Sequence, residues 1–443
     1  MSGGAEMIGE LQRFLDDTAR ELHVPGAAVG VLDGGVEHAL TTGIASVRTG
    51  TAVTEDTLFG IGSTSKTVTG TAAMHLVEQG AFGLDTPVAE LLPDFRLGDE
   101  DALAQLRVRH LLTHSGGFLG DIDDDLSWDS DALSRSIADF DRLPQLFAPG
   151  TISSYSNSGL RLLGHLVAVV SGRPFEEAIK EIVLDPLGMD DSVYLPWEAL
   201  PRPVAVGHVL TDGDARVAPL LGLSRDMAPE GGLLSSVRDQ LKYARFQLRG
   251  ESSGTLPVGD EIRRTMQTSH QQAGPPIDGI GLPWLLSTVG DARIVKHGGN
   301  ISNIQLSEFV MAPDHDLAVT VLTNAASPLG PRVVSWCLEH LRGIRPVPSA
   351  EVAPHPSPDD VLGRYDVNQW QHIVTREGEE LVIASEFRED LRALGLPPLP
   401  TVRARLGADH VLRSDARQEI GRFLTADDGT EILHMGLRAA PRI

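Results

Sequence analysis

The sequence predicts an α+β fold: an antiparallel sheet flanked by helices, a helical subdomain inserted into it, and a small antiparallel β-barrel at the C-terminus. Three observations point there. β-like segments cluster near residue 30 and again after residue 290, with helix-period segments between them. A proline-rich stretch, "IRPVPSAEVAPHPSPDD", then breaks the pattern with five prolines and no periodicity. Beyond it, short β-like runs alternate with turn residues to the end of the chain.

The elements follow in order. "MSGGAEMIGELQRFLDDTARELHVPG" reads as an amphipathic helix stopped at Pro25-Gly26. "GAAVGVLDGGVEHALTTGIAS" reads as two strands joined by a hairpin turn at Asp33-Gly34-Gly35. "TSKTVTGTAAMHLVEQGAFGLD" places Val68, Ala72, Leu76 and Val77 at helical spacing. Further helices are expected around "VRHLLTHSGG", "SGLRLLGHLVAVVSG", "PFEEAIKEIVLDPLG" and "SSVRDQLKYARFQL". Strands return at "ARIVKHGG", "NIQLSEFVMAP" and "DLAVTVLTNA", and "PRVVSWCLEHLRG" is again helical. In the last part "GRYDV", "HIVTR", "LVIAS", "TVRARL", "HVLRS" and "EILHMGL" are the expected barrel strands. The division is a catalytic unit over 1–343, a linker over 344–358 and a barrel over 359–443.

Bulk properties narrow the partners. The chain has 443 residues, 41% of them hydrophobic, which fits a multidomain globular protein. A formal net charge of −24 argues against nucleic acid and anionic membrane surfaces, whose binding needs clustered cations. No segment approaches the ~20 apolar residues of a membrane span. The N-terminus lacks a basic region followed by an apolar run, so the cytoplasm is the expected location. The single cysteine, Cys337, excludes an internal disulfide and reads as a buried helix residue. The expected partner is a small-molecule substrate, with no cofactor and no metal; oligomeric state is left open.

Three short elements can carry chemistry. The chain has four lysines against thirty-three arginines, so Lys66 in "FGIGSTSKTVTG" is not background charge. Ser63 and Lys66 lie three apart, which on a helix puts them on one face. A desolvated lysine can take a serine's proton, and the helix start aims free N–H groups at the same place. Alone, that spacing more often marks a solvated pair. In "GTISSYSNSG", Tyr155 and Asn157 are two apart, which on an extended segment turns both side chains one way. A phenol can relay a proton and an amide can hold a carbonyl, while the bland alternative is a surface tyrosine. In "IVKHGGNISN", Gly298 and Gly299 weaken a strand unless something approaches the backbone closely, and a bound acyl group would do so. His297 could orient substrate, and the N–H groups of Ser63 and Asn300 could form an oxyanion hole. Here the bland alternative is a bulge with an exposed histidine.

Taken in the order S-x-x-K, Y-x-N, H-G-G, these elements resemble the serine β-lactamase and penicillin-binding-protein superfamily. The closer resemblance is to its class C β-lactamase-related branch of D-alanyl-D-alanine carboxypeptidases, D-aminopeptidases and esterases. "VRHLLTHSGG", "YSNSGLRLLGHLV" and "VLDPLGMDDS" look like that branch's connecting segments, and the resemblance runs from about residue 8 to 343. It implies a β-lactamase-like sheet, an acylated Ser63, and proton transfer shared by Lys66 and Tyr155. It also implies substrate contacts from Asn157 and from His297, Gly298, Gly299 and Asn300 on the active-site strand. The C-terminal module is similar to the lipocalin-like barrel of some D-aminopeptidase-like members. The implied activity is hydrolysis of small peptides, amides or esters; acyl transfer to an amine and a non-enzymatic ligand-binding module are the alternatives. Lactamases usually carry K-T-G where this chain has "KHGG". Framing the element as His297-Gly298-Gly299 turns Lys296 away from the site and disfavours penicillins.

Two other features compete. "GDIDDDLSWDSD" holds Asp121, Asp123, Asp124, Asp125, Asp129 and Asp131, but Leu126 and Ala132 stand where a calcium loop needs glycine and glutamate. A solvated acidic loop is expected, or one that borders the cleft and steers amine-bearing substrates. His110 and His114 are four apart, yet "HLLTH" lacks the glutamate of a zinc hydrolase, so capping or packing roles are expected.

Overall fold

The computed structural model describes residues 2–122, 127–211, 213–219, 223–367, 369–389, 399–426 and 428–443. Its centre is an eight-stranded antiparallel sheet. The strand order is Val36–Gly43, Gly26–Asp33, Leu317–Thr323, Gln305–Ala312, Ala292–Ile301, Leu285–Val289, Gly279–Ile280 and Gln271–Gln272. The N-terminal hairpin turns at Gly34-Gly35, both with positive φ, as the sequence requires. Period-two alternation sorts side chains between two cores. Ala27, Val29 and Val31 face the terminal helices Ser2–Glu21 and Leu329–Arg342 together with the buried Cys337. Ala28 and Leu32 face the opposite core, formed with the helices inserted between the two halves of the sheet. At Gly30 a Cβ would press on Leu241 of the helix Val237–Arg249, so that helix lies directly on the strand.

The inserted region holds the helices Ser65–Glu78 and Asn157–Ser171, which pack on each other in the larger core. A buried guanidinium, Arg161, pairs there with Asp226 at 2.9 Å and Glu230 at 2.9 Å. Burial of three charges is tolerable because each carboxylate meets the guanidinium directly.

The C-terminal barrel is an eight-stranded meander from Gly363–Asp366 to Arg438–Pro441. A bridge from Tyr365 to Arg442 and a bond from Ile443 N–H to the Arg364 carbonyl at 3.0 Å nearly close it. Two strands are absent from the sequence expectation, the closing Arg438–Pro441 and, before it, Glu419–Thr425. Its apolar Ile420, Phe423 and Leu424 break alternation, and Gly421 holds an inward position. The proline-rich segment lies against the barrel through Ser349 N–H to Arg417 O, 3.0 Å, and His355 N–H to Leu406 O, 2.9 Å. No helix among the described residues is long and apolar enough to cross a membrane.

Candidate active site

The turn before the first inserted helix is short and heavily braced. Gly62–Thr64 form a 3-10 turn, with Gly62 at φ +51°, and the α-helix starts at Ser65. Gly60 N–H donates to Gln305 Oε1 at 2.6 Å, and Ser307 Oγ donates to the Ile61 carbonyl at 2.7 Å. Thr64 Oγ1 and Ser307 Oγ are 2.8 Å apart. Two side chains of the strand Gln305–Ala312 therefore fix the turn that carries Ser63. The strand Ala292–Ile301 closes on the same turn. A Cβ at Gly299 would overlap the Ile61 carbonyl oxygen, and one at Gly62 would sit 2.7 Å from Asn300 N. The close approach that the glycines signal is thus the nucleophile turn itself. Gly298 is different: a Cβ there meets only ordinary contacts from 3.4 Å outward.

Ser63 and Lys66 meet as their spacing predicts. Lys66 Nζ is 2.9 Å from Ser63 Oγ and donates to the Glu230 carbonyl at 2.5 Å. Lys66 has no exposed surface. Burial pulls its pKa from 10.5 down to about 7, against the opposing pull of Glu230 and Asp121 and with a small downward push from Arg438 and Arg161. The amine is therefore available as a base near neutral pH.

Tyr155 lies over this pair. Its ring centre is 5.0 Å from Lys66 Nζ, and its hydroxyl is hydrogen-bonded to the Ser63 side chain. Burial raises the phenol's pKa well above its ordinary value, partly offset by that bond, so the phenol stays protonated. Tyr155 and Asn157 do not share an extended segment. Ser156 accepts from Gly159 N–H at 2.9 Å as an N-cap, and Asn157 is the first residue of the helix that follows. Both side chains still reach the site, because the helix start turns Asn157 into the cavity, where its Nδ2 donates to Asp121 Oδ1 at 2.8 Å.

Along the strand Ala292–Ile301, Ala292 and Ile294 belong to the terminal-helix core and Val295 to the core beneath the site. Alternation then places His297 on the site side and Lys296 on the other, as the His297-Gly298-Gly299 framing expects. His297 is buried, 6.1 Å from the Tyr155 ring, and its Nδ1 bonds the Gly298 carbonyl at 2.7 Å. Burial, with Lys66 nearby, lowers its pKa to about 3, so it is neutral and Nε2 is a bare acceptor. Asn300 lines the cavity, and its side chain is paired with Asn303 at 2.8 Å.

His114 belongs to the site without having been assigned to it. It lies beyond the end of the helix Val108–Leu112, at φ +55°, so it does not share a helix face with His110. Its ring stacks on Tyr155 at 4.6 Å, and Nδ1 accepts from Ser156 N–H at 3.1 Å. His110 instead accepts from Arg107 N–H at 3.2 Å. Of the acidic stretch, Asp123, Asp124, Asp125 and Leu126 lie outside the described residues. Asp129 and Asp131 pair with Arg135, while Asp121 lines the catalytic cavity. Among the described residues no cluster suited to a metal ion is present.

The cavity, about 380 Å³, is completed from the barrel by Arg438 and Gln369. Arg438 pairs with Asp121 and stands 5.8 Å from the Tyr155 ring and 5.5 Å from the Trp370 ring. The barrel also holds the tyrosine's backbone: Tyr155 N–H donates to the Leu437 carbonyl at 2.8 Å, and Ala439 N–H to Ser154 Oγ at 3.1 Å.

A buried lysine beside a serine, under a protonated tyrosine, on an antiparallel sheet with an inserted helical region, defines a serine hydrolase of the beta-lactamase superfamily. The chain belongs to the beta-lactamase family, whose pattern matches residues 11–342. It is 32% identical over 364 residues to Penicillin-binding protein 4 of Amycolatopsis lactamdurans, covering 79% of this chain and 94% of that one. Esterase EstB of Burkholderia gladioli is 32% identical over 362 residues, covering 73% and 91%. Among solved structures, SurE matches the whole of both chains at 29% identity with a TM-score of 0.75. The class C β-lactamase of Rhodobacter sphaeroides matches 72% of this chain and 94% of its own at 28% identity, TM-score 0.59.

Proposed function

We propose that the protein forms an acyl-enzyme on Ser63 from small peptides, amides or esters and hydrolyses it. The observation that carries this reading is the 2.9 Å contact between Ser63 and a buried Lys66 whose pKa is about 7. A neutral Lys66 takes the Ser63 proton as the Oγ–C bond forms. The backbone N–H groups of Ser63 and Asn300 receive the developing oxyanion. The Tyr155 hydroxyl passes a proton to the departing nitrogen or oxygen as its bond to carbon breaks. Water then attacks the ester, giving its proton back through the same groups. Asn157 borders the acyl group. His297 is neutral and Lys296 faces away, so the strand offers no cation for a penicillin carboxylate.

A second reading, transfer of the acyl group to an amine, is favoured by one observation. SurE, whose structure matches 99% of this chain, has also been solved with D-Leu, and D-leucine carries an amine able to attack an acyl-enzyme.

One experiment tests both. Wild type and Ser63→Ala are offered nitrophenyl esters, D- and L-aminoacyl amides and a chromogenic cephalosporin, with and without a D-amino acid. Intact-mass detection of a Ser63 adduct and free-acid product supports hydrolysis, and amide product supports transfer. An unchanged rate in Ser63→Ala refutes the acyl-enzyme.

A further inference from the structure

We propose that the crevice between the catalytic unit and the barrel is a second binding site, which takes a small aliphatic monocarboxylate and holds its carboxylate on Arg422. The crevice is separate from the catalytic cavity, because the two share no lining residue. The inference goes beyond the acyl-enzyme reading and does not depend on it.

Two barrel strands build one wall. Arg422 and Leu424 on Glu419–Thr425 stand opposite His434 and Ile432 on Glu431–Met435. Phe423 and Leu433 alternate with them and belong to the barrel's own core, so the other four face the catalytic unit. There Leu424 and Ile432 pack with Leu146, Phe147 and Ile152. Beside this apolar contact the two surfaces part to leave about 650 Å³, a volume usual for small-molecule sites.

Arg422 is the crevice's one lysine or arginine among the described residues. Its guanidinium is half-buried, and Nε is enclosed without an acceptor. Burial alone pushes its pKa down, with no carboxylate pulling the other way. The other polar groups of the lining are engaged elsewhere. Asp428 Oδ1 accepts from Thr430 N–H at 2.9 Å, and His270 Nε2 bonds the Thr265 carbonyl at 3.0 Å. His434 Nε2 donates to the Ser153 carbonyl at 2.8 Å, and burial holds that ring neutral with a pKa of about 4.

A partly desolvated cation without a counter-ion is unfavourable, and a bound anion would relieve it. The planar guanidinium fork matches a carboxylate. One cation calls for one negative charge, and near Asp428 on a chain of net charge −24 a dianion is disfavoured. Leu146, Phe147, Ile152 and Leu424 along the same crevice suit an aliphatic tail. Each methylene buried there should tighten binding about fourfold.

The test uses full-length Ser63→Ala protein, so that no acyl-enzyme forms. Butanoate, hexanoate and octanoate are titrated by calorimetry beside their primary amides, and octanoate with a terminal diazirine maps the site by photolabelling. The acids should bind with affinity rising along the series, and each amide should bind about tenfold more weakly or less. Arg422→Gln should abolish the preference for acid over amide, and Arg422→Lys should restore part of it. Arg438→Gln, altered in the catalytic cavity instead, should keep it. The label should fall within 146–153 or 422–426. No saturable binding, equal binding of acid and amide, a preference that survives Arg422→Gln, or labels confined to the residues around the catalytic cavity would overturn the proposal. None of these outcomes bears on the acyl-enzyme, which is tested separately by the Ser63 adduct.

Discussion

Lys66 shows how a single side chain is moved out of its ordinary chemistry. A change from 10.5 to about 7 corresponds to roughly 5 kcal/mol of lost preference for the ammonium form. That cost is borne by the fold. Between about pH 7 and 10.5 the unfolded chain binds a proton that the folded one does not, so stability should rise with pH across this window. Lys66→Met removes both the cost and the base. We expect Ser63 acylation to fall by about 10³-fold or more while the thermal midpoint at neutral pH rises by a few degrees and loses its dependence on pH in this window. Calorimetry and single-turnover mass measurements check the two halves. A midpoint that falls would show that Lys66 is not held at a cost.

At the scale of elements, the catalytic geometry comes from one turn pressed against one strand. Gly299→Ala puts a methyl group into the Ile61 carbonyl and must displace the turn. It should cost about 1–3 kcal/mol in urea unfolding and about 100-fold in acylation, because shifts near 1 Å have that effect. Gly298→Ala, one residue away and meeting only ordinary contacts, should leave both nearly unchanged. Equal effects would refute the close-approach argument. These elements were legible where local rules govern. The Gly34-Gly35 turn, the stripe of Val68 and Ala72, and the i, i+3 pairing of Ser63 and Lys66 each depend on neighbours in sequence. Asn157 was legible as a site residue but not as a helix start, because the Ser156 cap that begins the helix competes with an extended reading of "YSNSG". At Gly299 the close approach comes from the backbone of residue 61, a neighbour that no local pattern in the sequence reveals.

At the scale of the molecule, the barrel is built into the active site. Leu437 fixes the backbone of Tyr155, His434 bonds the Ser153 carbonyl at 2.8 Å, and Arg438 pairs with Asp121. Residues 121 and 438 are 317 apart in sequence, and no spacing rule links an acidic loop to the last strand of another module. Separation in sequence also hid His114, whose role appears only once the Tyr155 ring is stacked on it. The sequence did yield the barrel and the acidic loop as separate features. Their meeting depends on how the barrel docks. A double-mutant cycle of Asp121→Asn and Arg438→Gln should show a coupling of about 1.5–3 kcal/mol in urea unfolding, as for a mostly buried charged hydrogen bond. Coupling near zero would mean that the pair does not help to hold the barrel in place.

Acylation at this site depends on a neutral amine taking the proton of Ser63. The most direct test is the rate of Ser63 acylation by a nitrophenyl ester, followed by mass in single turnover from about pH 5 to 9. The rate should climb tenfold per pH unit at low pH and level off above about 7, the pKa of buried Lys66. A rate that is flat across that range, or that still climbs tenfold per unit up to pH 9 as for an ordinary lysine, would contradict it.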